Sequence, residues 1–229
     1  MFKLKNVVPW GRCLDEYRQM FDLSDEDLQR KIIDCGGGPA SFNAEMTELG
    51  YKVTSCDPLY QFSAEDIRAR IEETSSKIVA GLTENSDRFV WQEIKDPQEL
   101  KQVRLQAMAR FLSDYESGLQ QKRYLNIELP TLPFADGEFD LAISSHLLFT
   151  YSEAFSTDFH LAAIKEMSRV ANEARIFPLV ENFTGELSPH VEPVTIGLRR
   201  DGYNVAIRTV PYEFQRQGNQ MLVVSRLEI

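Results

Sequence analysis

The sequence predicts a doubly wound α/β fold, a mostly parallel sheet with helices on both faces and an antiparallel hairpin at one edge. Three observations carry this. Short apolar runs alternate with segments of helical period through the middle of the chain. One of those runs enters a glycine cluster, as a strand does when it turns sharply into a helix. The last two apolar runs are separated by only nine residues including Gly218 and Asn219, which suits a hairpin better than a crossover.

The elements follow in order. Residues 1–22 precede the sheet. Ile32 and Ile33 lead into Asp34-Cys35-Gly36-Gly37-Gly38, and a helix-compatible segment then runs to a stop at Gly50. A second run, 51–56, ends at Asp57-Pro58 and completes a β-α-β unit. Ser63, followed by Glu65 and Asp66, is an N-terminal cap for a helix with Ile67, Ile71, Ile78 and Val79 on its apolar side. Residues 81–121 are too long for a connection. Asp96-Pro97 starts a segment there whose Leu100, Val103, Ala107, Phe111 and Tyr115 recur at helical intervals, so an inserted helix is expected. Strands are expected over 124–129 and 139–144, a helix over 157–171, a strand over 175–180 and the hairpin strands over 203–210 and 220–227. With no repeat and no linker, the expectation is a single seven-stranded domain, 1–229.

Composition removes several classes of function. Against 35 Asp+Glu stand 25 Lys+Arg, a formal charge of −10, whereas nucleic-acid binding draws largely on cations. A nucleic-acid partner is therefore not expected. No apolar run reaches the ~18–20 residues that cross a bilayer, and residues 1–6 lack an apolar signal stretch, so the expectation is a cytoplasmic protein with no membrane partner. Cys13, Cys35 and Cys56 are odd in number and lack metal-ligand spacing, which indicates neither a disulfide framework nor a metal site.

The chemistry concentrates at the glycine turn. In doubly wound sheets ligands bind beyond the carboxyl ends of the strands, and glycine lets the first turn approach them closely. Gly36 and Gly38 occupy that turn, but Ser41 stands where the G-x-G-x-x-G dinucleotide pattern has its third glycine, and no lysine completes a phosphate loop. Asp34, at the end of the first strand, repels a pyrophosphate and suits an ammonium group or a water-bridged amine. Asp57, ending the second strand, is placed to accept the hydroxyls of a ribose. A cation and a ribose in one ligand point to S-adenosylmethionine.

Asp34-x-Gly36-x-Gly38 followed by Asp57-Pro58 resembles motifs one and two of the class I S-adenosylmethionine-dependent methyltransferases. Residues 128–140, with Glu128 ahead of Leu132-Pro133-Phe134 and with Asp136-x-x-Phe139-Asp140 after it, and residues 164–170, before the fifth strand, are similar to further family segments. The resemblance covers roughly residues 30–180 and implies the Rossmann-like class I methyltransferase fold. It implies S-adenosylmethionine as cofactor and S-adenosylhomocysteine as product, with Glu128 and the Leu129 amide addressing adenine. Pro58 and Ser145 are read as lining the same ligand. Ala40, Glu128 and Asn172-Glu173-Ala174 depart from the third motif-one glycine, the commoner Asp and the usual Pro-Gly-Gly turn.

The family also implies that the N-terminal segment folds over the cofactor as a lid. Arg12 would then pair with the methionine carboxylate, a role suited to a planar guanidinium, and Tyr17 or Trp10 would cover the site. The other reading is an amphipathic helix on the sheet edge with Arg12 in solvent. His146, just past the fourth strand, is either a general base or a histidine packed at the rim, and Tyr151 lines the acceptor pocket or belongs to the core. The insertion covers the acceptor pocket or forms a homodimer surface, and His160 and His190 read as structural.

The reading is a methyltransferase for a small or medium-sized acceptor. Its rivals are a non-catalytic cofactor sensor or interaction subunit, and a protein or RNA methyltransferase using a strip such as Arg199-Arg200. No Asn/Asp-Pro-Pro-Tyr segment follows the fourth strand, which counts against methylation of nucleobase amino groups.

Overall fold

A computed structural model describes residues 8–226. The sheet strands are β1 Ile32–Cys35, β2 Val53–Cys56, β3 Tyr124–Leu125, β4 Phe139–Ser145, β5 Ala171–Phe177, β6 Tyr203–Thr209 and β7 Gln220–Arg226. They lie in the order β3-β2-β1-β4-β5-β7-β6. β1 pairs in parallel with β2 and β4, β2 with β3, and β4 with β5, while β7 runs antiparallel between β5 and β6. This is the seven-stranded, mostly parallel sheet with a terminal hairpin that the sequence predicts, and the resemblance to class I methyltransferases implies the same arrangement. The strand order reverses between β1 and β4, so their carboxyl ends open a crevice where a ligand can bind.

The helices are α1 Leu14–Met20, α2 Phe42–Glu48, α3 Ala64–Glu84, α4 Pro97–Gln120, α5 Thr157–Val170 and α6 Val191–Arg200. Ser63 Oγ accepts from Asp66 N at 3.1 Å to start α3, and Asp96 Oδ1 accepts from Gln98 N and Glu99 N at 2.8 Å to start α4. Alternation along the central strands separates the two layers. Ile33 and Ala142 face one core, shared with Ile164 and Met167 of α5 and Val194 and Leu198 of α6. Ile32, Leu141 and Ile143 face the other, shared with Tyr17 and Met20 of α1 and Phe42 and Met46 of α2. α3 and α4 pack as a pair beside β3, where Ile67, Ile71, Met108, Phe111 and Tyr115 surround Tyr60 and Tyr124. The apolar stripe of α4 is thus covered within the chain.

Several boundaries differ from expectation for local reasons. α3 continues to Glu84, so the insertion expected over 81–121 begins inside a helix. β3 is two residues long, not six, because Ile127 N donates back to Leu125 O at 2.8 Å and Pro130 and Pro133 lack the N–H a ladder needs. α5 passes directly into β5, whose register against β4 begins at Ala171, so Asn172-Glu173-Ala174 is strand and not a turn. β5 then stops before Pro178, and the run expected to 180 contributes only an isolated bridge from Val180 to Leu187. α6 was not expected: its buried positions Val191, Val194, Thr195 and Leu198 are helical in spacing, but Pro193 and Gly197 interrupt the pattern. Leu227, expected to end the last strand, and residues 1–7 of the N-terminal segment lie outside the described residues. No helix among the described residues is long and apolar enough to cross a membrane.

Candidate active site

A cavity of about 430 Å³ lies at the carboxyl ends of β1, β2 and β4. Its first wall is the glycine turn between β1 and α2. Gly36 and Gly38 have φ of 75° and 52°, which side-chain-bearing residues adopt only with strain. The turn is fastened from β2: Gly36 N donates to Cys56 O at 2.7 Å and Gly38 N to Asp57 Oδ2 at 2.9 Å. Tyr60 Oη donates to Gly38 O at 2.8 Å and Leu59 N to Asp57 Oδ1 at 2.7 Å. Asp57 therefore braces the turn and lines the cavity, with a further lone pair on each oxygen. Burial pushes its carboxyl pKa up, the Leu59 and Gly38 amides pull it down, and Glu128 adds to the rise.

Asp34 differs from its expected role. It is 1% exposed and absent from the cavity wall, lying beneath the turn with Oδ2 3.4 Å from Tyr17 Oη and 3.5 Å from Ser55 Oγ. Gly37 has room for no side chain, since a Cβ there would stand 2.5 Å from Asp34 Oδ2. The carboxyl underpins the turn, and its Oδ1 has no hydrogen-bond partner. Burial, with Asp57 nearby, pushes its pKa up to about 7.

The N-terminal segment closes over the turn. Gly11 permits this approach, because a Cβ there would lie 2.0 Å from Pro39 O, and Ser41 N donates to Arg12 O at 3.0 Å. Trp10 and Arg12 consequently line the cavity, so the reading with Arg12 in solvent is set aside. Arg12 Nη1 donates to Trp10 O at 3.1 Å and its Nε has no partner. Tyr17 touches the cavity with its ring but is mainly core, stacked on Phe42 with centroids 4.3 Å apart. At the opposite rim Pro58 and buried Leu129 line the cavity beside exposed Glu128.

Ser145 and His146, at the end of β4, reach the cavity floor. Ser145 Oγ lies 2.9 Å from His146 Nδ1, and His146 N donates to Phe177 O at 2.7 Å with φ 50°. Burial, then the charges of Arg12 and Arg104, hold the imidazole pKa well below its usual value. The ring is neutral near pH 7, and the imidazolium that general-base catalysis would create is disfavoured. His146 thus lines the cavity as a neutral imidazole bonded to Ser145. Tyr151 lines the same wall and its Oη accepts from Val8 N at 3.3 Å. His160 and His190 stack on each other at 4.6 Å and bond to Ser156 O and Thr157 Oγ1, which is structural.

Beyond His146 the cavity becomes aromatic, with Phe89 stacked on Phe214 at 5.1 Å, and Ile78, Leu82 and Leu100 from the two long helices. The insertion thus walls the pocket. Here Arg104 pairs with Glu16, and Tyr212 Oη donates to Glu16 Oε1 at 3.0 Å. Sequence reasoning missed Arg104, Glu16, Tyr212 and Tyr60. An arginine on the buried face of α4, aligned with Leu100, Ala107 and Phe111, was the one available signal. Among the described residues no group of three or more His, Cys, Asp or Glu is arranged to hold a metal ion, and the three cysteines are free.

No family model matches the chain. The protein MJ0045 of Methanocaldococcus jannaschii, described as uncharacterized, is 33% identical over 226 residues, spanning 97% of this chain and 98% of that protein. The chain belongs to its family. Among solved structures, magnesium protoporphyrin IX methyltransferase from Synechocystis, with bound S-adenosylmethionine, is 13% identical. The match covers 93% of this chain and 81% of that one at a TM-score of 0.49. A methyltransferase from Aquifex aeolicus is 16% identical, covering 91% and 90% at a TM-score of 0.44.

Proposed function

We propose that this protein is an S-adenosylmethionine-dependent methyltransferase acting on a small or medium-sized acceptor. The observation that carries the reading is Asp57: it ends β2, binds the backbone of the Gly36–Gly38 turn and still faces the cavity. A ligand with a vicinal diol, a heteroaromatic amine and a carboxylate fits this donor and acceptor set. Asp57 accepts from the ribose hydroxyls, and Glu128 with the Leu129 amide receives the adenine at the rim. The Gly36–Gly38 turn and Ser145 lie along the methionine portion, and Arg12 pairs with its carboxylate under Trp10. When bound, S-adenosylmethionine supplies an electrophilic methyl carbon on a sulfonium. The chain's contribution is to orient and to exclude water. His146 and Ser145 hold a fixed hydrogen-bonding edge where the two halves of the cavity meet, and alignment of an acceptor against that edge supplies much of the acceleration.

Calorimetric titration with S-adenosylhomocysteine tests the reading. The wild type is expected to bind it and Asp57→Ala to bind at least ~10-fold more weakly, since a hydrogen bond to a charged group contributes about 1.5–3 kcal/mol and 1.4 kcal/mol is tenfold. A wild type that binds neither form of the cofactor removes it, and unchanged affinity in Asp57→Ala removes the ribose contact. Labelled-methyl transfer to a metabolite extract separates an enzyme from a sensor.

A further inference from the structure

The aromatic half of the cavity holds an electrostatic imbalance. Arg104 projects into it from α4 with its side chain 1% exposed, paired with Glu16 through Nη1 and donating from Nη2 to Tyr212 Oη at 3.3 Å. Its Nε has no partner. Arg12, whose pKa burial and then the charge of Arg104 push down, also has an unpartnered Nε, and no carboxylate among the described residues pairs with it. Glu16 lies within the field of both arginines but hydrogen-bonds only Arg104 of the two. Its Oε1 accepts from Tyr212 Oη at 3.0 Å, and its Oε2 accepts from Cys13 N at 3.2 Å as well as from Arg104. Two guanidinium groups therefore face one carboxylate in a chamber walled by Phe89, Phe214, Leu100 and Trp10. A cation left unpaired in such surroundings is costly, and a buried donor without a partner costs about 1–3 kcal/mol. Thr150 Oγ1, buried on the cavity wall and likewise unpartnered, adds a neutral polar group.

We infer that the acceptor is a small molecule with an aromatic or similarly apolar body and an anionic group, a carboxylate or its equivalent, which docks on Arg104. This rests on the methyltransferase reading, in which Arg12 is taken by the carboxylate of the cofactor and Arg104 Nε remains for a second anion. The flat faces of Phe89 and Phe214 set the body of the ligand, and Arg104 sets its charged end. A guanidinium is suited to this double duty: its fork holds Glu16 and Tyr212, and Arg104 lines the cavity with a buried Nε donor still without a partner.

The test compares matched pairs of probes in calorimetry: benzoate, 2-naphthoate and indole-3-acetate against their neutral primary alcohols. Each is titrated into wild-type protein alone and into protein saturated with S-adenosylhomocysteine. At least one carboxylate is expected to bind 10-fold or more tightly than its alcohol. The double variant E16Q/R104Q, which removes the buried pair together, is expected to erase that preference while S-adenosylhomocysteine affinity stays within about threefold. Equal binding of every pair, or no binding of any carboxylate at millimolar concentration, overturns the inference. So does a double variant that remains folded by circular dichroism but loses S-adenosylhomocysteine, since Arg104 would then serve the cofactor. If the wild type fails to bind S-adenosylhomocysteine, the cofactor reading falls, and the titrations into protein alone still decide whether the anion site exists.

Discussion

At the glycine-turn end of the cavity, the groups that shape the wall belong to one β-α-β unit and are held largely by backbone amides, with Asp57 bonded to Gly38 N and Leu59 N. At the aromatic end the wall is assembled from distant segments: Arg104 meets Glu16 across 88 residues of sequence and Tyr212 across 108. The first end is acidic and the second basic. A wall made of local backbone geometry tolerates little change, because every element of it is set by φ/ψ and by amide positions. A wall made of side chains from separate helices and loops can exchange its chemistry without disturbing the sheet. Under the proposed methyltransferase function, the glycine turn would carry the constant part of the reaction and the aromatic end the choice of acceptor.

The largest expected effect comes from breaking the basic end. Arg104→Met leaves Glu16 buried and without its cation, and removing one partner of a buried pair typically costs about 3–5 kcal/mol. Urea denaturation should show that loss, and E16Q/R104Q should recover much of it. If Arg104→Met is as stable as wild type, the pair is not the tie between α1, α4 and the segment after β6 that the geometry describes.

The acidic end breaks differently, through pH. The Asp34 carboxyl titrates at about 7 in the fold, whereas an unfolded aspartate titrates near 3.9. Between those values the folded protein holds a proton that the unfolded chain has released, so stability falls as pH rises, by at most about 1.4 kcal/mol per pH unit. Above pH 7 both states are ionised and the penalty is constant. Asp34→Asn removes it. The stability difference between this variant and wild type should be smallest near pH 4, grow up to pH 7 and then level off. His146 has a depressed pKa and titrates alike in both proteins, so it cancels. A difference independent of pH would mean that Asp34 is ionised beneath the turn.

Gly36→Val tests whether the turn itself sets affinity. A Cβ at φ 75° would stand 2.5 Å from Leu147 Cδ2, so the variant must strain its backbone by about 1–3 kcal/mol or move the turn. S-adenosylhomocysteine affinity should drop by tenfold or more, while the preference of the aromatic end for carboxylate over alcohol survives. Loss of both together would show the two ends to be one unit.

The same contrast explains what the sequence disclosed. The alternation of strands and helices, the terminal hairpin and the positions of Gly36, Gly38 and Asp57 were legible because a strand-turn-helix unit writes its requirements into adjacent residues. Asp34 was found, but its depth was not: residue order places a carboxylate at the strand end, and only the pleat determines that it points beneath Gly37. Arg12 was named through the family's N-terminal lid, and its place on the cavity wall depends on the close approach of Gly11 to Pro39 and on the bond from Ser41 N to Arg12 O. Arg104, Glu16 and Tyr212 could not be joined from sequence, since nothing local marks three side chains that meet only when α1, α4 and the segment after β6 converge. α6 escaped notice for a simpler reason, since Pro193 and Gly197 mask a periodic buried face.

The smallest effect bears on how the acidic end is divided between its two fasteners. Tyr60 packs among Phe111, Tyr115 and Tyr124 and donates to Gly38 O at 2.8 Å. Tyr60→Phe keeps the packing and deletes one neutral hydrogen bond, which contributes about 0.5–1.5 kcal/mol. For a chain of this size that is a fall in Tm of roughly 2–4 °C per kcal/mol, with S-adenosylhomocysteine affinity weakened a few-fold at most. Asp57→Ala removes acceptors for both Gly38 N and Leu59 N and should lose far more affinity than Tyr60→Phe. Comparable losses in the two variants would place the hold on the turn in the Gly38 carbonyl as much as in the carboxylate, and the role of Asp57 would shrink to bracing alone.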